Sequence, residues 1–212
     1  GRAEFVYTHP MTGLPQGDSP SLLNSSYTIT ADIEVPEGGA EGMILTSGGR
    51  FAGYGFYLLE GKPVFLWNLI NLKRVKWEGP QALPPGRHTV EFDFKYDGLG
   101  AGTLAYNNMS GLGQSGTGTL KVNGEVVDTK EMKRTLPIIL QWDEAFDVGS
   151  DTLTGVNDAD YKPPFPLTAK LNKLTIKVDR PQLSEEEAKK LENTQAIAVD
   201  GNPIHHIQGG PH

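Results

Sequence analysis

Polar and apolar residues alternate along much of this chain, and this period of two constrains the fold more than any other feature. In the segment 27–35 (YTITADIEV) the apolar residues Ile29, Ile33 and Val35 hold odd positions, and every even position is polar. The segment 90–96 alternates in the same way. Because successive side chains of a β-strand point to opposite faces, each segment predicts a strand with one buried face.

Shorter apolar segments predict further strands, and several turns between them can be read directly. The strands are expected at 42–46, 54–60, 63–67, 72–77 and 167–178, with a hairpin tip at Gly61-Lys62. Asn123-Gly124 lies between two strand-like segments and tolerates the positive φ angles of a type I′ hairpin turn. Alternation slips at Asn172-Lys173, which predicts a β-bulge.

A chain of many short strands with few helix signals is expected to form an all-β antiparallel sandwich or barrel. The clearest helix signal is the capping box of Ser184 and Glu187, which predicts a short C-terminal helix over 185–193. We therefore expect an N-terminal extension (1–25), a β-sandwich domain (26–180), and a C-terminal helix and tail (181–212).

Charge and composition exclude several function classes. The formal net charge is −7, and Lys and Arg are not clustered, which argues against a nucleic-acid partner. There is no cysteine, and therefore no disulfide or thiolate metal site. Apolar runs extend over only a few residues, whereas a membrane-spanning helix needs about 20.

The segment 143–161 is rich in carboxylates, and no Lys or Arg occurs between Arg134 and Lys162. Unpaired carboxylates repel one another unless they are solvated or bind a cation, and hard oxygen ligands suit Ca²⁺. Two interpretations stay open: a calcium-binding loop and a solvated acidic loop. The candidate calcium ligands are Asp143, Asp147, Asp151, Asp158 and Asp160.

Aromatic residues are candidates for sugar binding, because an indole ring can stack on a pyranose; in a sandwich, however, most aromatics fill the core. The candidates are Trp67, Trp77 and Trp142.

The sequence evidence for catalytic residues is weaker than that for binding residues. Glu91 and Asp93 lack the third acid of a sandwich-glycosidase motif, and they occupy the polar positions of an alternating strand.

Several segments together resemble the C-terminal domain found in many bacterial arylsulfatases. The resemblance covers roughly residues 5–195. It is carried by 27–42, by Gly48-Gly49-Arg50-Phe51-Ala52-Gly53-Tyr54, by 146–152, by Asp160-Tyr161, by Pro164-Phe165 and by 183–187.

The resemblance implies a concanavalin A-like or laminin-G-like jelly roll attached to a sulfatase catalytic domain of the same polypeptide. It also implies export, with a periplasmic or secreted location. A sulfatase needs Cys or Ser in a C/S-x-P-x-R motif, which does not occur here. The chain is therefore expected to be non-catalytic, although its parent protein would be an arylsulfatase.

Three hypotheses follow. The leading one is an accessory domain that packs on, or shapes, a sulfatase catalytic domain. The alternative is a stand-alone carbohydrate-binding, lectin-like module, in a calcium-dependent or calcium-independent form. The third is an interaction module whose acidic loop binds Ca²⁺ for stability. The acidic balance disfavours sulfated glycans for the second hypothesis, because sulfate esters need Arg or Lys partners.

Overall fold

The computed structural model describes residues 2–98, 113–137, 144–179 and 189. These residues form an all-β jelly-roll sandwich of two antiparallel sheets, as the alternation predicts. Its strands are β1 (Arg2–Tyr7), β2 (Met11–Pro15), β3 (Ser26–Val35), β4 (Gly42–Gly48), β5 (Gly53–Leu59), β6 (Lys62–Leu69), β7 (Lys73–Glu78), β8 (Gly86–Tyr96), β9 (Gly116–Val122), β10 (Glu125–Met132), β11 (Ala145–Val148) and β12 (Lys170–Asp179).

Each sheet contains six strands. Sheet A has the order β1-β12-β3-β8-β9-β10, and sheet B has the order β2-β11-β4-β5-β6-β7. A 3-10 turn (Gln16–Asp18) follows β2. In the described part of the chain, no helix has the length and apolarity needed to cross a membrane.

The core lies between the two sheets and is built from the predicted apolar positions. Ile29 and Phe92 are fully buried there, on neighbouring strands of sheet A. The Phe92 ring stacks on that of Phe65 from sheet B, with centroids 3.6 Å apart. Burying one such side chain contributes about 1.5–3 kcal/mol, so these contacts hold the sheets together.

Trp77 lies on β7, an edge strand of sheet B, and packs against sheet A. Its indole packs directly over Gly118 of β9, where a Cβ atom would lie 2.6 Å from the ring. The indole nitrogen donates a hydrogen bond of 2.9 Å to the Gly118 carbonyl. A glycine is therefore required at this position, because any side chain would displace the tryptophan.

The outer face of sheet B is also covered, in this case by residues 149–168, which we call the covering segment. Tyr161 and Val156 from this segment are buried against Met43, Tyr57, Val64 and Leu66 of the sheet. The backbone nitrogen of Met43 donates to the Phe165 carbonyl at 3.1 Å, which fixes the segment to β4. Because both faces of β4–β6 are buried, these strands are apolar runs without alternation.

The turns and irregularities largely follow the sequence. Asn123 and Gly124 have φ angles of 51° and 86°, as the predicted type I′ turn requires. The pairing of β12 with β3 shifts between Leu171 and Lys173, which confirms the bulge. The second hairpin tip lies one residue earlier than expected, at Glu60-Gly61, since both residues have positive φ and Lys62 already pairs with Leu59.

The expected N-terminal extension (1–25) contains two strands of the sandwich. Residues 2–7 pair with β12 at the edge of sheet A, and β2 pairs with β11 at the edge of sheet B. Their backbone hydrogen bonds make them part of the domain. The predicted helix over 185–193 lies outside the described residues, apart from Lys189, which is helical.

Candidate functional site

The described candidate ligands of the acidic segment accept hydrogen bonds or ion pairs from protein donors. Asp143 lies outside the described residues. Asp147 is 1% exposed; one carboxylate oxygen accepts from the Gly13 nitrogen at 2.6 Å, and the other from the Thr152 nitrogen at 3.1 Å. This side chain therefore ties the covering segment to β2.

Asp151 is the most deeply placed acid of the covering segment. It is 2% exposed and accepts a hydrogen bond from the Tyr161 hydroxyl. Burial raises the pKa of Asp151 to about 6, the Tyr161 hydrogen bond lowers it, and the neighbouring charges of Asp147 and Glu144 raise it. Burial also raises the pKa of the Tyr161 hydroxyl far above its ordinary value, so this group is a hydrogen-bond donor at all physiological pH values.

The last two acids bind residues of sheet B. Asp158 forms an ion pair of 2.7 Å with Arg50, in the turn between β4 and β5. Asp160 accepts from the Tyr57 hydroxyl at 2.5 Å and from the Lys76 ammonium at 3.0 Å. Burial lowers the pKa of Lys76, but its bonds to Asp160 and Glu78 raise it by more.

These acids act as attachment points of the covering segment. The described residues contain no group of three or more His, Asp or Glu side chains that could hold a metal ion. The described carboxylates do not converge on a common point, because each accepts hydrogen bonds or an ion pair from its own partner. Calcium binding, with Asp143 outside the described range, stays an untested prediction.

The tryptophan candidates do not form a sugar platform. Trp77 is fully buried, as described above, and Trp67 is 6% exposed, with its indole nitrogen donating to the Tyr27 hydroxyl at 2.7 Å. Trp142 lies outside the described residues. Trp67 does line a cavity of about 50 Å³, but that volume is far below the roughly 300 Å³ of a small-molecule site.

No described segment covers the outer face of sheet A, in contrast to that of sheet B. The strand register aligns its side chains in rows that run across the sheet. One row contains Glu4, Lys177, Thr28, Asp93 and Thr119, and the next contains Val6, Thr175, Thr30, Glu91 and Lys121.

Three consecutive cross-strand pairs of β3 and β8 on this face each join a hydroxyl to a carboxylate. Thr28 donates to Asp93 at 2.7 Å, and Thr30 donates to Glu91 at 3.1 Å. In the third pair the roles are exchanged between the strands: Thr89 of β8 donates to Asp32 of β3 at 2.9 Å. We call these three pairs the hydroxyl–carboxylate ladder.

Lysines flank the ladder on both sides. Lys121 of β9 contacts Glu91 at 3.0 Å, and this hydrogen bond raises the pKa of Lys121. On the other side, Lys177 of β12 lies 3.9 Å from Glu4. Between β1 and β8 the face forms an open depression of about 410 Å³. All the residues that line it are polar or charged: Glu4, Thr28, Thr30, Asp32, Glu91, Lys173, Thr175 and Lys177.

The chemistry of this face is that of a hydrogen-bonding surface. The threonine hydroxyls and carboxylates are held in place by one another, so little conformational entropy is lost when they meet a ligand. The carboxylates accept and the lysines donate, which together match groups of vicinal hydroxyls. The sequence indicates that Glu91 and Asp93 lie on a polar strand face, but it did not identify Thr28, Thr30 and Lys177 as site residues. These three occupy the polar positions of β3 and β12, and that alternation is the signal that could have identified them.

Comparisons with known proteins identify the fold. No family model and no curated protein matches this chain. Among solved structures, the CBM40 of the Ruminococcus gnavus IT-sialidase aligns with a TM-score of 0.50 at 14% identity, over 91% of this chain and 98% of that chain. At this identity the likeness shows the jelly-roll fold alone.

Two further solved structures align more weakly. The same Ruminococcus gnavus CBM40 bound to α2,3 sialyllactose has a TM-score of 0.49 at 15% identity, over 91% of this chain and 97% of that chain. Domains LG4-5 of the mouse laminin α1 chain have a TM-score of 0.43 at 15% identity, over 85% of this chain and 42% of that chain.

Proposed function

We propose that this chain is a carbohydrate-binding module that binds neutral glycans on the outer face of sheet A. The observation that supports this most is the hydroxyl–carboxylate ladder, four of whose residues (Thr28, Thr30, Asp32 and Glu91) line a depression on the face of sheet A. The jelly-roll fold, shared with a carbohydrate-binding domain of a sialidase, is consistent with it. As a binding module, the chain makes and breaks no bond.

The ladder favours hydroxyls over charged groups. Four carboxylates face the depression or its border (Glu4, Asp32, Glu91 and Asp93), and two of the nearby lysines, Lys121 and Lys177, are paired with Glu91 and Glu4. A sulfate ester would meet repulsion here, whereas a sugar hydroxyl can donate to a carboxylate oxygen and accept from a lysine. Neutral glycans are therefore the expected ligands, and sulfated ones are not.

A glycan array carrying neutral, sialylated and sulfated glycans tests the proposal, with calorimetry on the best ligand. The double variant Thr28→Val/Thr30→Val removes two hydroxyls while keeping side-chain shape and β-propensity. It is expected to weaken binding at least tenfold, since each tenfold change corresponds to about 1.4 kcal/mol. Thr12→Val, at an exposed threonine of sheet B, is the matched control and should bind normally.

Two results would contradict the proposal. One is an array on which no glycan is bound, with or without added Ca²⁺. The other is a bound glycan whose affinity is the same for the double variant and the Thr12→Val control.

The accessory role at a sulfatase catalytic domain is a separate proposal that rests on sequence resemblance. The residues Gly48–Tyr54 of that resemblance lie in the β4–β5 turn and its flanks, and Phe146–Thr152 span β11 and the start of the covering segment. Sulfatase turnover by the purified chain would overturn this role. An upstream reading frame that encodes C/S-x-P-x-R would support it, and a glycan-binding module could serve such a domain.

A further inference from the structure

Three turns lie together at one end of sheet B. They are residues 49–52 between β4 and β5, residues 70–72 between β6 and β7, and residues 152–156 of the covering segment; we call them the turn cluster. The Asn68 amide, at the end of β6, donates to the Gly49 and Arg50 carbonyls at 3.0 and 2.7 Å, and its oxygen accepts from the Asn71 nitrogen at 3.0 Å, which joins the first two turns. The Arg50 nitrogen donates to the Thr154 hydroxyl at 2.9 Å, which joins the third.

Each of these turns exposes a large apolar side chain. Phe51 is 61% exposed, Leu72 is 85% exposed, and Leu153 is 51% exposed. Ile70, beside Leu72, is also exposed. Four of the seven exposed large apolar residues of the described chain thus lie at one end, whereas single exposed apolar residues elsewhere need no explanation.

The β6–β7 turn places an apolar residue where the backbone disfavours it. Ile70 and Asn71 have φ angles of 46° and 58°, and a β-branched residue in this region is strained. The same chain builds another turn with two positive φ angles from Asn123 and Gly124, which adopt them readily. An isoleucine at the tip therefore opposes local stability, and strain of this kind points to a role for the side chain.

The charges next to the turn cluster are mainly positive. Lys73 and Arg74 follow Leu72 directly, and neither forms an ion pair with a carboxylate in the described residues. Arg74 instead donates to the Val156 carbonyl at 3.0 Å, which places it over the third turn. Glu144 is buried against Thr154, and Asp158 is paired with Arg50. The surface charge near the turn cluster is thus mainly positive, whereas the net charge of the whole chain is −7.

We propose that the turn cluster is a membrane-contact surface, whose apolar tips enter the interface of an anionic phospholipid bilayer while Lys73 and Arg74 bind lipid phosphates. Apolar side chains on separate turns can each enter the boundary between lipid headgroups and acyl chains, because a bilayer adapts to an uneven surface. The neighbouring cations are attracted to the phosphates of anionic lipids. This contact is independent of the glycan-binding face on sheet A.

Vesicle co-sedimentation tests the proposal with the intact chain. We expect binding to phosphatidylcholine vesicles that contain about 30% phosphatidylserine, because anionic lipids give the surface a negative potential. Little binding is expected to pure phosphatidylcholine, and binding should weaken at high salt. Phe51→Ser/Leu72→Ser should reduce binding at least tenfold. Val126→Ser, at an exposed apolar residue of β10 in sheet A, is the matched control and should bind normally.

A second readout reports insertion itself. The fluorescence of a Phe51→Trp variant is expected to shift to shorter wavelength when anionic vesicles are added. The proposal is overturned by vesicles that do not bind, by equal binding of the double variant and the Val126→Ser control, or by a Phe51→Trp emission spectrum that vesicles leave unchanged. Normal glycan binding by these variants separates a failure here from a failure of the proposed function.

Discussion

The hydroxyl of Thr28 donates a hydrogen bond of 2.7 Å to the Asp93 carboxylate across two neighbouring strands. The two residues face each other in the register of β3 and β8, and the next two outward pairs repeat the same chemistry. The repetition holds three carboxylates at fixed spacing on an open face. It makes this surface an ordered array of acceptors, which distinguishes it from an ordinary solvated sheet face.

The Thr28–Asp93 pair is expected to show a measurable coupling. Thr28→Val should lower the free energy of unfolding by about 0.5–1.5 kcal/mol, because it removes one half-buried hydrogen bond to a carboxylate. A double-mutant cycle with Asp93→Ala in urea should give a coupling of similar size. A coupling close to zero would mean that the two side chains do not interact in solution.

Asp151 is expected to make stability depend on pH. Its folded pKa of about 6 is higher than the ordinary 3.8, so its contribution is fully present below pH 3.8 and is lost as the pH rises through 6. Between pH 7 and pH 4, wild type should therefore gain up to about 3 kcal/mol relative to Asp151→Asn, at about 1.4 kcal/mol per pKa unit.

Thermal or urea unfolding at several pH values measures the Asp151 effect. The comparison of wild type with Asp151→Asn cancels the other acids, which titrate in both proteins. Tyr161→Phe removes the hydrogen bond that lowers the Asp151 pKa, and it should move the transition to higher pH. Parallel pH profiles for wild type and Asp151→Asn would contradict the assignment.

Tyr54 and Tyr57, both buried on β5, are expected to respond differently to loss of the hydroxyl. Tyr57 donates to Asp160 at 2.5 Å, so Tyr57→Phe should destabilise the protein by about 1.5–3 kcal/mol. The Tyr54 hydroxyl is buried, and among the described residues it interacts with the Ser47 side chain outside normal hydrogen-bond geometry. Tyr54→Phe should therefore leave stability unchanged or raise it slightly. Equal losses in urea denaturation would refute this distinction.

The β6–β7 and β9–β10 turns each contain two residues with positive φ, so exchanging the first of these residues between the turns tests the strain at Ile70. Ile70→Asn should stabilise the protein by about 1 kcal/mol, because asparagine tolerates a positive φ better than a β-branched residue does. Asn123→Ile should be destabilising by more, since it adds strain and also removes the 2.9 Å bond from the Thr89 nitrogen. Chemical denaturation checks both; a stability loss in Ile70→Asn would show that Ile70 is not strained.

The strands that could be predicted from sequence are those with one face in water. In β3 and β8 the alternation alone identifies both the strand and its buried face. Alternation does not predict β1 and β2, since apolar Val6 is exposed in β1 and β2 contains Gly13 and Pro15. Their place in the sheets depends on pairing with β12 and β11, far along the chain.

The candidate site was less predictable, because its contacts are long-range. The ladder depends on the register of β3 and β8, which residue spacing does not determine. The acidic segment predicts a cation-binding site. Its residues Asp158 and Asp160 instead bind Arg50 and Tyr57, which lie more than 100 residues away in sequence. Trp67 and Trp77 show the same limit: composition identifies them as large aromatics, and only the packing of the sheets reveals that they are buried.

The N-terminal residues close the sandwich at two places, and this has a practical consequence for any shortened version of the protein. A chain that starts at Ser26 would lose β1 and β2 together, and the hydrogen-bonding edges of β12 and β11 would become free at the same time. Unprotected edges of this kind recruit strands from other molecules. Trimming at this point is therefore expected to produce self-association, although it leaves the ladder residues in place.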